Sequence, residues 1–177
     1  MAAITIIMIF TPFGMIPNPA GPSLTISHIP TILTAVLFGP FMGAAVGFIF
    51  GVAGLVRAII APHSPFDLLF MNPLVSVLPR VLVGFGTGFI YALFSKWQNN
   101  MGMAIGAAAG SLINTFAVLG MVYILYRARV AEMLDAAMAD VMPWILGVVT
   151  TSGLLEMAAA VIVVFPIAKA LKKYDER

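Results

Sequence analysis

The chain has 177 residues, 62% of them hydrophobic and 9% charged, with a net charge of +2 and a mean hydropathy of +1.08. A soluble domain carries about 25% charged residues; this chain cannot cover a soluble surface and reads as an integral membrane protein. The small net charge gives no footing for nucleic acid, and with no cysteine disulfides and thiolate metal sites are excluded.

The apolar runs are long and rich in Ala, Gly, Leu, Ile and Met, which favours helices over the short alternating strands of a barrel. At about 20 residues per span, the length allows roughly six. The chain therefore reads as one all-α membrane-embedded domain over 1–177, a bundle of six transmembrane helices. The first segment, MAAITIIMIFTPF, is stopped by Pro12 and is too short for a full span, so it is a partial helix or residues precede it. The second, about 28 to 38, is also short and ends at the turn signal Gly39-Pro40. The third runs from about 41 to 60 and ends at Ala61-Pro62. The fourth runs from about 73 to 95, with Pro73 placed for a helix start. The fifth runs from about 101 to 126 and the sixth from about 141 to 171.

Three sizeable links lie on one side: GMIPNPAGPSLTIS at 14–27, APHSPFDLLFMN at 61–72, and RARVAEMLDAAMAD at 127–140. The last reads as a short amphipathic helix with Val130, Leu134 and Ala137 on one face. The other side has two tight turns, Gly39-Pro40 and KWQNN. Lys96, Lys169, Lys172, Lys173 and Arg177 gather with those turns, so they and both chain termini are expected in the cytoplasm.

Small residues recur every fourth position: Ala35, Gly39, Gly43, Gly47 and Gly51, then Gly84, Gly88 and Ala92, then Gly102, Gly106 and Gly110. Such faces let apolar helices approach closely in lipid. They serve packing inside the bundle or docking against a partner membrane protein.

Strong polar groups inside the spans are few: Arg57, Arg80, Asn114 and Glu156. Arg80 lies roughly 10–12 Å down the fourth helix at about 1.5 Å per residue. A lipid-facing guanidinium there would cost several kcal/mol. Either it pairs with Glu156 or Asp67 and fixes the bundle, or it lines a cavity open to the outside and binds an anionic or strongly polar solute. Pro79 lacks an N–H and obstructs the carbonyl of Val75, so a bend is expected beside Arg80. Asn114 is a helix–helix hydrogen bond or a ligand contact, and His28 at a helix start is a loop-ordering contact or a ligand donor. Trp144 reads as an interfacial anchor.

No Walker A loop occurs, and GAAAGS at 106–111 has no histidine in a later span to act as base. An enzyme is not expected. The chain is small for a self-sufficient secondary transporter and shows no clear repeat of halves.

The stretches LTISHIPTILTAVLFGPFMGAAVGFIFGVAGLVRA and NPLVSVLPRVLVG, after a Pro/Gly-rich first loop, resemble the substrate-binding S components of energy-coupling factor (ECF) vitamin transporters. The resemblance covers nearly the whole chain. It implies a vitamin site near the outer face, capped by the first and third external loops, in a multi-pass protein of a prokaryotic cell membrane. It also implies docking on a transmembrane T subunit coupled to two ATPases, so that ATP is used by partner subunits and this chain needs no cofactor. Helix one of the family docks through an alanine-xxx-alanine face, for which Ala2 or Ala3 stands here; Gly39, Gly43 and Gly47 are further docking candidates. The HIP and NPLVSVLPR forms are most similar to the pantothenate-type members. Arg80 or Arg57 would then take the vitamin carboxylate in a bidentate pair, and Asn72, Asn114 and His28 its amide and hydroxyls. Cobalamin, riboflavin and folate stay open as substrates. A small structural or assembly protein, with Arg80 and Glu156 as bundle glue, is the alternative from another class.

Overall fold

The computed structural model describes residues 1–11, 14–16, 24–62 and 64–175. Most of the first external loop and Arg177 lie outside them. Helix α1 (Ala2–Phe10) turns Thr5 and Ile9 inward and packs on α3. It stops where Thr11 becomes extended (φ −117°, ψ 155°), the conformation that a following proline enforces. The ends of the first loop pair as two short antiparallel strands, β1 (Met15–Ile16) and β2 (Leu24–Thr25), with Met15 opposite Thr25. Gly14 anchors this hairpin: a Cβ there would lie 2.1 Å from the Met8 carbonyl oxygen, so no larger residue fits.

Helix α2 (Ile29–Phe38) is the centre of the bundle. Its residues Ile29 through Val36 are all buried. Gly39, with φ +89°, ends α2 and lets α3 (Pro40–Ile60) start at once; only glycine adopts that φ without cost. Helix α3 runs along α5 (Leu78–Ser95) on a seam of backbone against backbone. A Cβ on Gly43 would lie 2.7 Å from the Gly84 carbonyl oxygen, on Gly47 2.1 Å from that of Arg80, and on Gly51 2.5 Å from the Cα of Val77.

The expected fourth helix is two pieces. A 3₁₀ turn (Pro65–Met71) leads into α4 (Pro73–Ser76), capped by the Asn72 side chain, which accepts the Leu74 N–H at 2.9 Å. The chain breaks at Val77, and α5 starts with Pro79 in its first turn. The bend precedes Pro79 because the missing N–H and the ring disrupt the turn before it.

Helix α6 (Asn99–Met133) continues through a kink at Tyr126 (φ −135°, ψ 15°). Residues 127–133 form a second helical segment past that kink, where the sequence placed a short amphipathic helix, with Val130 and Ala131 buried against the adjoining core. It ends as Asp135 turns left-handed (φ 50°), with Asp135 N–H bonded to the Glu132 carbonyl and Ala136 N–H to that of Ala131. That pair of bonds satisfies carbonyls the helix end leaves open. A 3₁₀ turn (Met138–Asp140) precedes α7 (Val141–Val148), a π-helical turn (Val149–Gly153) and α8 (Leu154–Asp175). The uninterrupted sixth helix of the sequence reading is corrected to this bulged one. Thr150 and Thr151 donate to the carbonyls of Leu146 and Gly147 at 2.8–3.0 Å, giving partners to carbonyls of the widened turn.

Among the described residues four helical stretches are long and apolar enough to cross a membrane: Pro40–Ile60, Pro73–Ser95, Asn99–Met133 and Met138–Lys173. Large apolar residues such as Phe41, Phe48, Phe89, Ile124 and Ile162 cover the outside. The core has two apolar clusters. One joins α2, α5, α6 and α8 through Ile32, Val83, Ala107 and Val164. The other joins the 3₁₀ turn at 65–71, α4, α6 and α7 through Leu69, Val75, Leu119 and Val141.

Candidate functional site

Between the two clusters each helix changes character at one residue. On the α4–α5 strand of the bundle Arg80 separates Val75 from Val83; on α6 Asn114 separates Ala107 from Leu119; on α7–α8 Glu156 separates Ile145 from Ala160. These three polar residues line a cavity with two lobes. The first holds ≈ 580 Å³ of open space and is lined by Phe50, Arg57, Phe66, Asp67, Phe70 and Arg80 among others. The second holds ≈ 440 Å³ and is lined by Arg80, Asn114, Thr115, Ser152 and Glu156 among others. The lobes meet at Thr25, Phe70 and Arg80. Part of this space is continuous with the outside.

Arg80 reaches the junction by way of Pro79. Proline cannot bond the carbonyl four residues back, that of Val75. Arg80 Nη1 donates to that oxygen instead, at 2.7 Å. The guanidinium carbon lies 5.3 Å from the Phe50 ring centre and 5.0 Å from that of Phe70. Cation–π contacts of this kind contribute about 0.5–2 kcal/mol each. One of its five N–H donors is committed. No described carboxylate lies within 4 Å of it.

Arg57 differs. Its Nη2 is 3.2 Å from Asp67 Oδ2, and the two side chains are 7% and 9% exposed. This pair ties α3 to the 3₁₀ turn, which is also held by Phe66 stacked on Trp144 at 5.5 Å. Trp144 is thus half-buried behind the Phe66 ring. Glu156 does not pair with Arg80. Its Oε1 accepts the Thr25 N–H at 2.6 Å, fastening the end of the first-loop hairpin to α8. Asn114 is 6% exposed, and its Oδ1 has no partner.

The other sequence candidates lie elsewhere. Asn72 caps α4 and donates to the Tyr126 hydroxyl at 3.0 Å; it lines neither lobe. His28 is fully buried at the start of α2, both ring nitrogens lack a hydrogen bond of standard geometry, and it too lines neither lobe. Gly43 and Gly47 face α5 inside the bundle. Gly39 has open space around it, Ala3 is exposed and Ala2 half-buried.

The family profile for the substrate-specific component of ECF transporters matches residues 1–168. The chain belongs to this family. Two curated relatives are each 28% identical. One is the pantothenate transporter PanT of Leuconostoc mesenteroides subsp. mesenteroides, covering 99% of this chain and 90% of the relative. The other is the pantothenic acid transporter PanT of Lactococcus lactis subsp. cremoris, covering 98% and 90%. This S component is therefore a multi-pass membrane protein of transport and not an enzyme. Its cavity contains residues that the sequence did not single out as ligand contacts, namely Thr25, Phe50, Phe70, Ser152 and Glu156. A signal existed only for Glu156, as one of the few ionisable groups within a span.

Proposed function

We propose that this S component binds pantothenate at Arg80 and delivers it into a prokaryotic cell through the plasma membrane. In this reading it docks on a T subunit whose two ATPase partners consume the ATP. It crosses the membrane with six segments (α1, α2, α3, α4–α5, α6 and α7–α8) and both termini in the cytoplasm, an orientation that Lys169, Lys172 and Lys173 on the C-terminal helix support. Ala2, Ala3 and Gly39, which are not packed into the bundle core, remain for the T subunit. The observation that carries the substrate is the Arg80 guanidinium, held over two phenyl rings in the cavity without a carboxylate partner. Pantothenate offers a carboxylate for it, and the two relatives bear the name of its transporter. Arg57, Asn114 and His28 complete the set of candidate contacts on the cavity walls and behind them, with Asn72 acting through the α4 cap.

The test is a thermal-shift panel of pantothenate, cobalamin, riboflavin and folate on the purified chain. A ligand at 100 times its Kd stabilises the folded state by about 2.7 kcal/mol. A shift with pantothenate is expected. A shift with another vitamin alone replaces the substrate, and a folded sample that responds to none defeats the reading.

A further inference from the structure

The two lobes have opposite chemistry. The first carries Arg57 and Asp67 as a closed ion pair among phenyl rings. The second carries acceptors: Glu156, and Asn114 whose buried Oδ1 has no hydrogen-bond partner. Arg80 stands between them. A ligand carboxylate on Arg80 is repelled by Glu156 and so sits on the first-lobe side of the guanidinium. The rest of the ligand must then bring hydrogen-bond donors into the second lobe, because the Glu156 carboxylate and Asn114 Oδ1 can only accept and are otherwise left unsatisfied.

We propose that Glu156 is a specificity-determining residue of the site, which requires a hydroxyl-bearing ligand end in the second lobe and rejects an anionic one. This rests on the pantothenate reading. The pantoyl end, with its two hydroxyls, then lies toward Glu156 and Asn114. One Glu156 oxygen is already held by the Thr25 N–H, and the other accepts a ligand hydroxyl. The phosphate ester of pantothenate at its primary hydroxyl brings two negative charges against that carboxylate. Arg80, the one cation lining the second lobe among the described residues, is engaged by the ligand carboxylate. The site thus admits the free vitamin and excludes the phosphorylated form, which bears charge at both ends.

The experiment measures binding of three probes to wild type and Glu156→Gln by calorimetry: pantothenate, its phosphate ester, and pantothenol, in which the carboxylate is an alcohol. Glutamine keeps an oxygen for the Thr25 N–H, and thermal melts of both proteins check that the fold persists. Wild type should bind the phosphate ester at least about 100-fold more weakly than pantothenate, since like charges brought together cost several kcal/mol. Glu156→Gln should narrow that gap to about tenfold or less, a larger change than any in the pantothenol-to-pantothenate ratio, because that ratio reads chiefly the Arg80 end. If the variant discriminates against the phosphate ester as strongly as wild type, or shifts the pantothenol ratio instead, the assignment of Glu156 is overturned while pantothenate stands as substrate. If wild type binds no pantothenate, the substrate reading fails and the orientation with it.

Discussion

Arg57 and Arg80 line one cavity from neighbouring helices, yet the fold treats them in opposite ways. Arg57 faces Asp67 at 3.2 Å with both side chains buried. Arg80 faces two phenyl rings and a carbonyl that proline has left open. The first charge is balanced within the protein; the second has no described carboxylate within 4 Å, Glu156 lining the same lobe without pairing with it. A buried pair fixes structure, whereas a cation without a carboxylate keeps its attraction for an incoming anion. The variants that follow break or sharpen this contrast.

The largest effect belongs to Arg57. Arg57→Ala removes the cation facing the buried Asp67 carboxylate and should destabilise the protein by about 3–5 kcal/mol, read as a lower melting temperature in detergent. The double variant Arg57→Met/Asp67→Leu removes both charges and should recover most of that loss. If the single variant melts like wild type, the pair is not structural, and the contrast with Arg80 collapses.

Next comes the seam that carries Arg80. Its backbone oxygen is the atom that a Cβ on Gly47 would strike. Overpacking costs about 1–3 kcal/mol and more where backbone must move, so Gly47→Val should lose at least about 3 kcal/mol. It should also displace Arg80, and binding should fall further than the stability loss alone explains. Gly54→Ala is the stability control: its Cβ would meet only the Ser76 hydroxyl at 3.5 Å, an ordinary contact, and the melting temperature should stay near wild type.

Arg80→Ala should reverse the pattern of Arg57→Ala. One bond to the Val75 carbonyl is lost, worth about 1.5–3 kcal/mol when the donor is charged, offset by relief of a partly buried unpaired cation. Stability should therefore change by about 1 kcal/mol or less, while pantothenate affinity falls at least about 100-fold, the scale of a lost charge-assisted contact of about 2–5 kcal/mol. Arg80→Lys keeps the charge without the planar fork and should fall between. A variant that unfolds while Arg80→Lys binds normally assigns Arg80 to the bundle instead.

How far this contrast was legible in sequence depends on the range of the interaction. The spans follow from apolar runs, and the break before Arg80 from Pro79, because both are local. The small-residue spacing at Gly43, Gly47 and Gly84 showed close packing but not its partner: a glycine stripe looks the same toward a neighbouring helix and toward another protein. Asn72 beside Pro73 carried a cap signature as readable as its polarity, and the cap is where its side chain goes. Choosing Asp67 for Arg57, and Thr25 instead of Arg80 for Glu156, required tertiary placement, since those partners lie 10 and 131 residues apart. The π-turn after α7 was equally hidden, because Thr-Thr-Ser reads as helix until its hydroxyls are seen on the carbonyls of Leu146 and Gly147.

The smallest effect tests the acceptor end of the cavity. Asn114 Oδ1 is buried and unpaired, and leaving such a group unmatched costs about 1–3 kcal/mol. Asn114→Leu removes the orphan at similar volume, so the empty protein should melt at the same temperature or slightly higher. The bound protein should lose one neutral hydrogen bond of about 1 kcal/mol, a five- to tenfold weaker affinity by calorimetry. Opposite signs on stability and binding from one substitution are what a ligand-facing acceptor predicts. A helix–helix contact predicts the same sign for both, and a drop in melting temperature with unchanged affinity would move Asn114 out of the site and leave Arg80 and Glu156 to define its ends.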